Sequence, residues 1–363
     1  MEILERLLYM DSDRLYQNAV ALLKSLIATP SFSKEEDGTA RLLHRFLDEQ
    51  GVLVQQQANN VFAKCLHFDA AKPTLLLNSH HDTVRPNSGY TNDPFTPLEN
   101  EGKLFGLGGN DAGGCVVALT AAFLHFYEKE NLPYNLLLAL TAEEEISGTG
   151  GIEALWSHLP PIDCAIVGEP TLLQMAVAER GLMVLDGVAT GKAGHAARNE
   201  GENALYKALD DINKLRHHVF TKTSPLLGPV QTTITVMETE NKAHNQVPAH
   251  CRFVVDVRLN ECYTHKEVLE QLQQLVKSSL APRSTRLRSS LIKEDHPLVQ
   301  AGLQLGLHIT GSPTTSDKAL IPVPALKIGP GDSARSHSAD EFIYLHEIEQ
   351  GIHTYVQLIN ALA

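Results

Sequence analysis

The run Leu75-Leu76-Leu77-Asn78-Ser79-His80-His81-Asp82 closes an apolar stretch with three residues able to serve a metal site. In an extended chain residues i and i+2 point the same way, so His80 and Asp82 share a face and His81 takes the other. A carboxylate beside a ligand imidazole orients the ring and fixes its tautomer. Alone, H-x-D is a weak signal that more often marks an ordinary surface or packing role, so the case rests on its company. Glu143-Glu144-Glu145 follows the apolar run 136–140, where three adjacent acids form either a solvated turn or a cluster that a cation must neutralise. Asp111 lies in a glycine-rich loop, Glu169 follows the run 165–167, and His337 sits in Ser336-His337-Ser338-Ala339-Asp340-Glu341. Imidazole and carboxylate without thiolate suit zinc or a similar divalent ion in a catalytic site, particularly a pair bridged by one carboxylate. Such a pair polarises a carbonyl and generates hydroxide at neutral pH. A nearby carboxylate that binds no metal is then needed to move the proton.

The elements that must position these residues read as alternating strands and helices. Apolar spacing predicts helices over 14–28 and 36–49, strands over 61–68 and 74–78, and a helix from the Gly106–Gly114 loop to about residue 127. Strands at 135–141, 163–167 and 325–328 and a closing helix at 347–362 complete an α/β domain with a mainly parallel sheet. In such sheets ligands bind beyond the carboxyl ends of the strands, where residues distant in sequence converge. From about residue 179 the pattern changes to strand, helix 202–217, strands 230–237 and 252–259, helix 265–279 and a strand near 285–289. That succession is β-α-β-β-α-β, a ferredoxin-like unit. The expected domains are therefore 1–178 with 291–363, discontinuous, and an insert at 179–290.

With 363 residues the chain exceeds one ordinary core, which agrees with two domains. No stretch approaches the roughly 18 apolar residues of a membrane span. The start Met1-Glu2-Ile3-Leu4-Glu5-Arg6 lacks the basic and apolar regions of a secretory signal, and the expected location is the cytoplasm. Five scattered cysteines with no C-x-x-C pair suggest reduced thiols and no thiolate zinc site. A net charge of -13 argues against nucleic acid as a partner.

Taken in order, S-H-x-D-x-V, G-x-G-x-x-D-x-G-G, T-x-x-E-E, G-E-P-T and S-H-S-A-D-E resemble the acetylornithine deacetylase, succinyl-diaminopimelate desuccinylase, aminoacylase and carboxypeptidase family of co-catalytic zinc hydrolases. The resemblance spans nearly the whole chain. It implies two divalent ions, Zn2+ with Co2+ able to substitute: His80 and Glu169 on one, Glu145 and His337 on the other, and Asp111 bridging. Asp82 is then the carboxylate behind His80, Glu144 the general base and acid, and the peptide after Asp111 cis. His81 has no family role.

The insert resembles the family's lid or dimerisation domain, which implies a homodimer. Gly191-Lys192-Ala193-Gly194-His195-Ala196 resembles its G-x-x-G-H motif, implying that His195 enters the partner's site and stabilises an oxyanion. Asn245 and Arg258 resemble substrate-contacting positions, although for Arg258 an ion pair on a strand is as good a reading. The closest resemblance is to acetylornithine deacetylases, because Ala178-Glu179-Arg180-Gly181 replaces the R-R-G-S of desuccinylases, and an acidic Glu179 near the pocket would tolerate a cationic side chain. The implied reaction is hydrolysis of N2-acetyl-L-ornithine to ornithine and acetate in arginine biosynthesis. N-succinylornithine or N-acetylcitrulline deacylation, a dinuclear dipeptidase or carboxypeptidase, and a non-enzymatic metal-binding scaffold are the alternatives.

Overall fold

The computed structural model describes residues 2–198 and 200–362, with the side chains of 2–12 excepted. Two compact units emerge: Met1–Val177 with Ile292–Thr310 and Ser316–Ala363, and Ala178–Leu291 with Gly311–Thr315.

The first unit is built on the strands whose sequences are continuously apolar. Thr74–His80 and Asn135–Thr141 are buried at every position. They pair in parallel, with Leu77 opposite Leu138 and His80 opposite Thr141. Cys164–Val167 lies parallel on the other side of Thr74–His80, and Ala325–Lys327 parallel to that. Strands buried on both faces need apolar residues without alternation, which explains the leucine runs. Each buried leucine contributes about 1.5–3 kcal/mol. Asn60–Lys64 and Val54–Gln57 continue one side antiparallel, and Lys327 pairs antiparallel with Ala176 on the other.

Because the central strands run the same way, the residues after His80, Thr141 and Val167 lie at one end of the sheet. The helix Gly114–Phe126 packs on the sheet and against the helices Glu2–Ile27 and Leu345–Ala361. Its start needs glycine: a Cβ on Gly113 would fall 2.4 Å from the Gly108 carbonyl oxygen, and one on Gly114 2.3 Å from Ile343 Cδ1. The first helix, Glu2–Ile27, begins well before the expected residue 14, and the strand expected over 61–68 covers only Asn60–Lys64.

The second unit has strands in the order Gln231–Thr239, His250–Leu259, Gly181–Thr190 and Ser279–Pro282, all antiparallel, with helices Ala204–His217 and His265–Leu275. Along Gly181–Thr190 buried and half-buried residues alternate, as one covered face requires. The connectivity is the expected β-α-β-β-α-β, but its last strand comes earlier. The helix expected to reach 279 stops at Leu275, and Ser279–Pro282 forms the strand in place of 285–289. Asn203 caps one helix through Leu205 N, and a Thr264/Glu267 capping box starts the other.

Candidate metal centre

His80 ends its strand almost completely buried. Its Nδ1 lies 3.1 Å from the main-chain oxygen of Asp82. A carbonyl only accepts, so Nδ1 carries a proton and Nε2 is the nitrogen left to face a metal or to carry a second proton. That nitrogen faces Asp111 Oδ1 at 3.3 Å, Glu169 Oε1 at 3.6 Å and Glu144 Oε2 at 3.8 Å. The Asp82 carboxylate stands 3.4 Å from Nδ1 and does a second job. Its Oδ1 accepts from Glu144 N at 3.0 Å, and its Oδ2 from Glu145 N at 3.2 Å and Ser33 Oγ at 2.7 Å. One buried carboxylate thus fixes both the histidine and the backbone that carries two of the acids. His81 points away: Thr39 Oγ1 and Asn59 O occupy its two nitrogens at 2.9 Å each, as a satisfied core histidine requires.

Asp111 is reached through the glycine loop, with Gly108 at φ +72° and a cis Asp111–Ala112 peptide. While Oδ1 faces His80, Oδ2 lies 3.8 Å from His337 Nε2. Each oxygen of one carboxylate therefore meets a different imidazole, the disposition a bridging ligand needs. His337 Nε2 is 2.9 Å from Glu145 Oε2. Ligand atoms of His80, Asp111 and Glu145 lie within 4.8 Å of one another, as do those of His80, Glu144 and Glu169.

The electrostatics test whether a metal pair fits. Without a proton on Nε2, the His80 lone pair directed at carboxylate oxygens would be repulsive unless a metal cation intervened. Burial alone would lower the His80 pKa, yet Glu144, Asp111, Asp82 and Glu169 together raise it well above 6.5. The hydrogen bond to Glu145 lifts His337 to about 9. Burial, reinforced by Glu169, Asp317 and Glu145 against the opposing His80, drives Glu144 well above 4.5. The protein has packed hard oxygen and imidazole donors where only protons or cations relieve the charge, and a divalent pair suits that donor set.

Several supporting residues escaped the sequence reading. Glu341, buried, accepts from both Asn110 N at 2.9 Å and Asp111 N at 3.0 Å through one oxygen, holding the backbone of Asp111. Burial and the nearby Asp111 push its carboxyl up to about 8. Asp317, also buried, accepts from Thr141 Oγ1 at 2.6 Å at the end of the strand that leads to Glu144. Burial raises it to about 6. Glu36 receives the Glu143 N–H at 3.2 Å, while the Glu143 side chain accepts from Gly150 N at 3.1 Å. Glu143 is therefore the brace of this turn. Adjacency in the late S-H-S-A-D-E motif was the one available signal for Glu341; Ser33, Glu36 and Asp317 offered none.

In the second unit His195 and Asn245 come together. Gly194–His195 pairs with Gln246–Val247, and Ala196 N donates to Asn245 O at 3.0 Å. His195 and Asn245 are both exposed. Arg258 forms two bonds to Asp256, at 2.8 and 3.1 Å, two residues away on the same strand face. The reading of Glu179 needs correction. It is 0% exposed, and Arg180, 5% exposed, donates to the carbonyls of Pro229, Arg258 and Leu227. A residue so enclosed presents no charge to a substrate; this pair serves the fold.

An α/β sheet whose strand ends deliver histidines and carboxylates around a shared aspartate defines a metal-dependent hydrolase. The sequence matches peptidase family M20/M25/M40 over residues 76–361, and the chain belongs to that family. It is 29% identical to the acetylornithine deacetylase of Proteus mirabilis across an alignment 378 positions long that covers 94% of this chain and 95% of that one. It is also 29% identical to the succinyl-diaminopimelate desuccinylase of Cereibacter sphaeroides over 271 residues, 70% and 71% of the two. The structure is similar to that of aminopeptidase PepT from Bacillus cereus, with TM-score 0.78 and 17% identity over 96% of this chain and 98% of that one. The protein is accordingly a metal-dependent amidohydrolase of acylated amino acids or peptides. Among the described residues no helix is long and apolar enough to cross a membrane.

Proposed function

We propose that this enzyme is a two-zinc deacylase of N-acyl amino acids, with N2-acetyl-L-ornithine as substrate and ornithine and acetate as products, acting in arginine biosynthesis. The observation that carries the reading is the pair of donor triads that share His80, with half-buried Glu144 in one of them and Asp111 facing both His80 and His337. The deacetylase relative, aligned along 94% of the chain against 70% for the desuccinylase, favours the acetyl substrate.

His80, Glu169, Asp111, Glu145 and His337 would hold the ions, whose chemistry is Lewis acidity at the scissile carbonyl and a lowered pKa for water. Asp82 keeps the proton on His80 Nδ1 and aligns the Glu144 and Glu145 backbone. Glu144, its pKa raised by burial, takes a proton from the attacking water and returns it to the leaving nitrogen. His195, exposed on its short ladder, is the oxyanion donor supplied to a second copy, with Asn245 and Arg258 as substrate contacts. Dimerisation runs through the insert; its edge strand Gln231–Thr239 exposes Val236 and Met237, and its helix exposes Tyr206 and Leu209.

The test is turnover of N-acetylornithine, N-succinylornithine, N-acetylcitrulline and a dipeptide panel by the zinc- or cobalt-loaded enzyme, alongside Glu144→Gln. N-Acetylornithine should be the best substrate, and the variant should lose about 10²–10⁴-fold in kcat with its metal content intact. Cleavage of peptides alone would overturn the substrate assignment, and full activity in the variant would overturn the role of Glu144.

A further inference from the structure

A cavity of about 220 Å³ lies beside the proposed metal ligand His337, walled by Arg85, Asn87, Tyr90, Leu107 and Ser338. Its outer wall is fastened to the segment that carries His337. Asn87 Nδ2 donates to His337 O at 3.1 Å, and Asp340 takes Thr91 N at 2.9 Å, Asn92 N at 3.0 Å and Thr91 Oγ1 at 2.5 Å. The pocket is thus preformed, and the Asp340 carboxylate is engaged by Thr91 and Asn92 of the facing segment.

Two donors line it. The Tyr90 hydroxyl is enclosed and meets no well-aligned hydrogen-bond partner among the described residues, while the Glu341 main chain lies beside it and burial with the Glu341 and Asp340 carboxylates pushes its pKa up to about 12; a buried donor without an acceptor is costly unless a ligand supplies one. The Arg85 guanidinium stacks over the Phe32 ring at 4.3 Å and gives one N–H to Glu35 at 2.7 Å. A guanidinium has five such donors, and an exposed ion pair of this kind is weak, so a second acceptor is accommodated readily.

Resting on the deacylase reading, we propose that this cavity is a carboxylate subsite, in which Arg85 and Tyr90 bind an anionic group of the substrate next to His337. Two sources have that chemistry: the α-carboxylate of the amino acid, or the distal carboxylate of a dicarboxylic acyl group such as succinyl.

The experiment compares wild type, Arg85→Met and Tyr90→Phe on N-acetylornithine and N-succinylornithine. Each variant should raise KM by about tenfold or more, the loss of a charge-assisted hydrogen bond, with the effect in KM rather than kcat. A loss on both substrates assigns the α-carboxylate; a loss on N-succinylornithine alone assigns the acyl carboxylate. KM values within twofold of wild type, or a fall in kcat at unchanged KM, would overturn the subsite. Calorimetric titration of succinate and N-acetylornithine into the metal-loaded proteins separates this idea from the deacylase reading. If wild type hydrolyses neither substrate, that reading fails. The subsite then stands on weaker binding to Arg85→Met and falls if wild type binds neither compound or the affinities are equal.

Discussion

Replacing Asp82 by asparagine tests the reasoning at its most connected point. The carboxylate is fully buried and accepts from Ser33 Oγ, Glu144 N and Glu145 N while standing beside His80. Asparagine keeps the shape but turns one acceptor oxygen into a donor, so whichever way the amide settles, at least one backbone N–H faces another N–H. A buried donor left unsatisfied costs about 1–3 kcal/mol, and hydrogen bonds to a charged group are worth about 1.5–3 kcal/mol each. The metal-free variant should therefore lose roughly 2–3 kcal/mol of stability in urea titration. Displacement of the Glu144-Glu145 backbone and loosening of His80 should weaken metal binding about 10- to 100-fold, the usual effect of losing a residue behind a ligand. At about 1.4 kcal/mol per decade that is roughly 1.4–2.8 kcal/mol, the same size as one such hydrogen bond. Ser33→Ala, which removes a single partner, should cost only about 1 kcal/mol.

The pH dependence has a definite sign. Burial would raise the Asp82 carboxyl, but its bonds from His80, Ser33 and the Glu144 N–H outweigh burial and hold it below 3.8. A depressed carboxyl stabilises the fold fully above its unfolded value and progressively less as pH falls through the folded one. The gap between wild type and Asp82→Asn should accordingly be full near neutrality and shrink below pH 3.8. Metal-free stability within about 0.5 kcal/mol of wild type, with chelator-competition affinity within about twofold, would refute the account.

Two predictions concern the insert. Asp211, buried on the helix Ala204–His217, accepts from Lys277 N at 2.9 Å, Ser278 N at 2.7 Å and Ser278 Oγ at 2.8 Å; Asp211→Ala should destabilise by about 1–3 kcal/mol in urea unfolding, and a change under about 0.5 kcal/mol would show the loop relaxing freely. Glu267 accepts the Thr264 N–H and pairs with Lys222, which pull its carboxyl to about 2. The melting temperature of Glu267→Gln should trail wild type above pH 4.5 and converge with it as the pH approaches 2; a pH-independent gap would mean that the charge plays no part.

The central strands and the ionisable residues at their ends were legible because burial on both faces forces an unbroken apolar run, and a charged residue at its end stands out. Glu179 shows where such reading fails. It also follows an apolar strand, and its acidity suggested a role toward the substrate, yet it is enclosed. Strand position tells which face a side chain takes, not what covers that face. The last strand of the insert was displaced for a related reason: helical spacing continues past Leu275, but the Asp211 carboxylate from another helix captures the N–H groups of Lys277 and Ser278. A bond across 66 residues leaves no local trace.

By itself the sequence determined the donor types, their order along the chain and the α/β alternation that sends them to one end of a sheet, because these follow from side-chain chemistry and hydrophobic period. Tertiary structure decided which donors meet. It placed the two oxygens of Asp111 toward different histidines, set the His80 tautomer through a backbone carbonyl, and made Glu341, Ser33 and Asp317 supports of the site. Hydrogen bonds and charges act over a few ångströms of space, and the chain alone does not say which of its distant residues will share them.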